Sequence, residues 1–103
     1  MSSLDAMLDL LIKVMREPVN RKASVKQYQA LVWACPSGSI DKQTYDAFAD
    51  LAHDLDFFEP DPFLCREDPD YYGHEGLEVA VETALRRLEE LGVKIPDDAP
   101  RRR

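Results

Sequence analysis

Between Asp54 and Asp70 the chain carries seven carboxylates, at positions 54, 56, 59, 61, 67, 68 and 70, against a single base, Arg66. Side chains of this type can ligate a metal, pair for general acid–base work, or hold a cation in place by charge alone. The first two uses need partners that the sequence does not supply at the right spacing. His53 and His74 are the only histidines. The run His74-Glu75-Gly76-Leu77-Glu78 lacks the second histidine of an HExxH zinc site, and no glutamate stands three residues before a histidine, as a di-metal helical bundle requires. Cys35 abuts Pro36 in a turn with no base placed beside it, which is not a nucleophile arrangement. Cys35 and Cys65 do not form a CxxC pair either. Carboxylate pairs that would suit glycoside chemistry are numerous, but a helical chain of 103 residues has little room for a sugar cleft. The expectation is a protein that is not an enzyme and uses no metal and no cofactor. Recognition of positive charge remains.

The formal net charge of −7 is unevenly spread. Residues 1–40 sum to +2, residues 41–82 to −11 with thirteen acids and two bases, and residues 83–103 to +2. A field of that sign repels nucleic acid and anionic membranes and speeds encounter with a basic surface. Solubility is the plainer use of the same charge. The start, Met1-Ser2-Ser3-Leu4-Asp5, is not that of a signal peptide, and no apolar run approaches the roughly 18 residues of a membrane span. A cytoplasmic protein with Cys35 and Cys65 as reduced thiols is expected. Arg21, Lys22 and Lys26 are too few for a nucleic-acid footprint and read as a solvated loop.

The elements that must position the acids are helical. Leu4, Met7, Leu8, Leu11 and Met15 form one face of a first helix over 2–17, widened by Leu10, Ile12 and Val14 and stopped by Pro18, with Ser2 and Asp5 as a capping box. Residues 19–23 read as a connection, and Ser24-Val25-Lys26-Gln27 as the capping box of a second helix whose core face is Val25, Tyr28, Leu31, Val32 and Cys35. Ile40 and Tyr45 staple an Asp41 N-cap, so a third helix begins near Lys42. It buries Tyr45, Phe48, Leu51, Ala52, Leu55 and Phe58 and carries Asp46, Asp50 and Asp54 at i, i+4, i+8 on another face. Like charges at that spacing cost a helix about 0.2–0.5 kcal/mol per pair. From His74 a last helix follows Leu77, Val81, Ala84, Leu85, Leu88 and Leu91, with Gly92 as its stop and Val93 to Ile95 folding back. The fold class is all-α: an antiparallel four-helix bundle in a single domain, 1–96, followed by a disordered tail, 97–103, that includes Arg101, Arg102 and Arg103.

Helices three and four are joined by a long connection, about 57–73, of a length that is usually functional. Phe57, Phe58, Phe63, Leu64, Tyr71 and Tyr72 are expected to pin it to the bundle, with Phe57 and Phe58 in the core, while Pro60, Pro62 and Pro69 stiffen it. Charges held in this way lose less entropy on binding than charges on a mobile tail.

The run Asp56-Phe57-Phe58-Glu59-Pro60-Asp61, then Tyr72-Gly73-His74-Glu75-Gly76-Leu77 and Val81, resembles the colicin D immunity and self-protective colicin-like immunity proteins. The likeness lies in the Phe-Glu-Pro-Asp box, the acidic tyrosine-bearing linker and the Gly-Leu-x-x-x-Val that opens the last helix, and it reaches upstream to Ile40. This chain has a longer linker, with Phe63-Leu64-Cys65-Arg66 in the extra length. The resemblance implies a small acidic four-helix bundle that plugs the basic active-site cleft of a tRNA-cleaving ribonuclease toxin, with carboxylates where RNA phosphates would go. Carried over, Asp56, Glu59 and Asp61 are the toxin contacts, accompanied by Asp54, Asp68, Asp70 and Glu75. From another class, an acidic helical adaptor for a basic protein partner, with no toxin involved, fits the same charge pattern.

Overall fold

A computed structural model of the chain describes residues 3–36, 38–67 and 69–95. Five helices account for most of them: α1, Ser3–Arg16; α2, Arg21–Ala34; α3, Lys42–Asp54; α4, a single turn at Pro62–Cys65; and α5, His74–Glu90. Tight 3-10 turns at Pro18–Asn20 and Leu55–Phe57 complete the helical part. Among the described residues there is no strand, only one isolated parallel bridge between Phe58 and Tyr72. The fold is all-α. No helix among the described residues is long and apolar enough to cross a membrane.

The apolar faces read from periodicity are the faces that pack. Met7, Leu11 and Val14 of α1, Val25, Tyr28 and Val32 of α2, Phe48 and Ala52 of α3, and Leu77, Val81 and Leu88 of α5 meet in one core. Helix α1 lies on α2, α2 on α3 and α3 on α5, and α5 returns to α1. The broad apolar surface of α1 is used on more than one side, since Leu4, Leu10, Ile12 and Met15 also pack at the margin of the core. Buried Tyr28 satisfies its hydroxyl by donating to the Phe48 carbonyl at 2.7 Å, which ties α2 to α3. A dry hydroxyl left without a partner would cost a few kcal/mol.

Helix ends follow local chemistry where that chemistry is short-range. Asp41 caps α3, accepting from the Gln43 amide at 3.1 Å. Helix α5 ends in a Schellman turn: Gly92, at φ 94°, donates to the Glu89 carbonyl, and Val93 to that of Leu88. Ile95 then folds back into the core. Ser2 and the tail beyond residue 95 lie outside the described residues.

Two expectations about the α1–α2 junction are corrected. Helix α2 starts at Arg21, three residues before the Ser24 box, and Ser24 is a buried residue inside the helix. Arg21 is not in a solvated loop but 3% exposed. Its Nε donates to the Val14 carbonyl at 2.8 Å and its Nη2 to the Met15 carbonyl at 3.0 Å, so it caps the end of α1. Its Nη1 reaches His74 Nδ1, 2.9 Å away, at the start of α5. A guanidinium only donates, so that nitrogen accepts and the His74 ring proton sits on Nε2. Burial lowers the pKa of Arg21, an effect the charge of Glu78 opposes.

Candidate functional site

The acidic connection, expected as a long loop pinned by rings and stiffened by prolines, also has a helical turn and a closed neck of its own. At its neck the Glu59 amide donates to the Tyr72 carbonyl at 2.8 Å and the Tyr72 amide to the Phe57 carbonyl at 2.9 Å. The Tyr72 hydroxyl donates to the Asp54 carbonyl at 2.7 Å, fastening the returning chain to the end of α3. Burial, then the Asp54 and Asp56 charges, push the Tyr72 phenol up, so it stays a neutral donor. Beneath it, Gly76 leaves room that no other residue could leave, because a Cβ there would lie 2.6 Å from Tyr72 Cβ. Phe58 is buried and meets the His74 ring edge-on at 5.4 Å.

Beyond the neck, Glu59-Pro60-Asp61-Pro62 builds the start of α4. Asp61 is the N-cap, its Oδ1 accepting from the Phe63 amide at 2.9 Å, and Pro62 takes the first helical position, where a missing N–H costs nothing. Glu59 Oε1 accepts from the Asp61 amide at 3.2 Å, and its Oε2 pairs with Lys22 at 3.2 Å. Asp56 accepts from Gln29 Nε2 at 2.7 Å, and the same amide group donates to the Ala52 carbonyl at 2.8 Å. One turn further along α2, Trp33 meets the His53 ring at a tilt of 56°, with ring centroids 4.8 Å apart. Lys22, Gln29 and Trp33 therefore lash α2 to the end of α3 and to the box.

The candidate residues fall into distinct groups. Asp56, Glu59 and Asp61 lie within six residues of one another, and each holds the shape of the connection; Glu59, with its side chain 14% exposed, is the most enclosed. Asp54 is exposed beside Tyr72. Asp70 and Glu75 are exposed on the return into α5, each with an interaction of its own. Asp68 lies outside the described residues. On the acidic face of α3, Asp50 is bridged by Arg87 of α5 at 2.7 Å across open surface, so that face is not purely acidic in three dimensions. Next to this pair, a groove of about 500 Å³ runs between α3 and α5 over Ala47, Ala80 and Ala84, with Asp54 and Tyr72 at its rim.

The aromatic pins are fewer than expected. Of the six large apolar residues assigned to anchor the connection, Phe58 is buried and Tyr72 half-buried. Phe57 is 41% exposed rather than core, Phe63 77%, and Leu64 and Tyr71 are also exposed. A single helical turn capped at Asp61 has no inner face wide enough to bury Phe63 and Leu64. The acidic surface thus presents rings as well as carboxylates, which composition alone did not reveal. Set against protein-family models, curated proteins and solved structures, the chain matches none of them.

Proposed function

We propose that this chain is a cytoplasmic immunity protein that binds the catalytic domain of a tRNA-cleaving ribonuclease toxin and blocks its basic active-site cleft. The four long helices act in this proposal as an antiparallel bundle carrying the acidic face. One observation carries it: a −11 stretch, residues 41–82, whose centre is not a floppy acidic loop but a segment closed at its neck and capped within. An RNA cleft is lined by cations placed for phosphates, and carboxylates at fixed positions can occupy that field without the entropy loss of ordering a tail. The likeness of the Phe-Glu-Pro-Asp box to the colicin D immunity proteins supports the same conclusion.

The test is co-expression with a ribonuclease domain encoded next to this chain. The wild type should rescue growth and co-purify with the domain, with affinity falling as salt rises. Asp61→Asn removes the charge while keeping a good N-cap, and Asp54→Asn removes an exposed charge. Together they should weaken binding at least tenfold, or about 1.4 kcal/mol, without lowering the melting temperature. Failure of the wild type to protect or to bind would refute the proposal. An acidic adaptor for some other basic protein would give that result.

A further inference from the structure

We infer that Phe63 stands in for a nucleobase, so that the loop imitates a nucleotide and not only a string of phosphates. This rests on the ribonuclease-inhibitor proposal and adds to it a specific pocket in the partner. Phe63 is the most exposed aromatic ring among the described residues, 77% open, and yet it sits on a preformed turn. Asp61 Oδ1 accepts from the Phe63 amide itself at 2.9 Å, so the backbone that carries the ring is held to one carboxylate, and the two are offered from a single turn as a base and a phosphate are from a single nucleotide. Glu59 and Pro62 hold Asp61 in turn, and the Phe58–Tyr72 bridge holds the segment's ends.

The occupant is set by complementarity. In sequence, Asp61 before the ring and Glu67 after it outnumber the one base of the tip, Arg66, and the −11 stretch around them disfavours a nucleic acid or an anionic membrane as partner and favours a cationic rim. An apolar or aromatic slot with a cationic rim is what a single-stranded RNA-binding cleft provides, since bases stack on side-chain platforms while phosphates meet Lys and Arg. Phe63 fits the slot and Asp61 the rim. Leu64, also exposed, supplies an apolar shoulder.

The experiment measures binding of the isolated ribonuclease domain by Phe63→Ala, Phe63→Leu and Phe63→Trp chains at two salt concentrations. The expected result is a loss of about ten- to a hundredfold for Phe63→Ala, most of it in the dissociation rate, with the salt dependence of the wild type retained. Phe63→Trp should bind like the wild type and Phe63→Leu should stay weak, because stacking needs a π-face. A mononucleotide should compete with the wild type and lose that effect with Phe63→Ala. Wild-type affinity in Phe63→Ala overturns the inference while leaving the inhibitor proposal standing. Full rescue by Phe63→Leu overturns base mimicry in favour of a plain apolar plug, and self-association of the free chain that Phe63→Ala abolishes overturns it in favour of a second copy. If the wild type binds no such domain, the inhibitor proposal falls and the inference with it.

Discussion

Replacing Arg21 with methionine should be the most damaging single change at the helix junctions. The substitution keeps an unbranched apolar stem and deletes a buried head that makes three contacts: the carbonyls of Val14 and Met15 and the Nδ1 of His74. Each carbonyl that stays buried without its donor costs about 1–3 kcal/mol. Part of this is returned, because the variant no longer desolvates a guanidinium. The expected net loss is about 2–4 kcal/mol, equivalent to a fall of roughly 9–18 °C in Tm for a domain of this size. Arg21→Lys should recover only part of it, since one ammonium cannot fork to three acceptors on two helices. Lys22→Ala, one position on, removes an exposed pair with Glu59 and should cost only about 0–1 kcal/mol. Urea and thermal unfolding followed by circular dichroism separate these cases. An Arg21→Met midpoint within about 0.5 kcal/mol of wild type, the spread of ordinary surface substitutions, would refute the assignment of Arg21 as the clamp between α1 and α5.

Gly76→Ala gains helix propensity of about 1 kcal/mol but drives a Cβ into Tyr72, an overpacking cost of about 1–3 kcal/mol. The variant should be less stable, with faster hydrogen exchange at the Glu59 and Tyr72 amides that close the neck. Asp61→Ala should cost about 0.5–2 kcal/mol locally by uncapping α4, visible as faster exchange around Phe63, while the global melt barely moves. Burial raises the phenol pKa of Tyr28, and Tyr72 shifts the same way. A raised folded-state pKa means that their contribution is complete below the unfolded value near 10 and is lost as pH rises above it. Stability should therefore fall above about pH 10, by about 1.4 kcal/mol per pH unit for Tyr28. Tyr28→Phe should flatten that alkaline limb, and absorbance titration at 295 nm should show phenols that ionise only on unfolding.

What could be read from the sequence was whatever depends on neighbours a few residues apart. The faces of α1 and α3, that of α5 up to Leu88, the Asp41 cap and the Gly92 stop all rest on spacings of two to seven residues and stand in the fold, while Leu91, read as the end of the α5 face, is exposed. The clustering of acid is a property of composition and was equally plain. Arg21 was not legible, because its partners lie six, seven and 53 positions away and a run such as Asn20-Arg21-Lys22 looks like solvent-facing chain from any local rule. The Ser24 box was outweighed by the same contact, which draws the start of α2 back to Arg21. In the connection, aromatic content indicated rings to be buried but not which ones. Periodicity has nothing to work on in turns of three and four residues, such as those that carry Phe57 and Phe63, and so does not show that these rings face out. The candidate acids are legible by type, whereas the part they play as caps and struts bonded to Lys22, Gln29 and the Phe63 amide needed the tertiary structure.

The bridge between Phe58 and Tyr72 makes the segment it encloses a cassette. Its two ends are joined by backbone hydrogen bonds that do not depend on the side chains between them. The entropy of closing a loop grows only slowly with its length, by about 0.6 kcal/mol per doubling. Residues 59–71 can therefore lengthen, shorten or change sequence while Phe58, Tyr72 and Gly76 keep the exit and return fixed on the helices. If the segment makes the contacts proposed for it, partner choice could then drift in the cassette without passing through an unfolded scaffold, and a cassette moved between two such scaffolds should take its specificity with it.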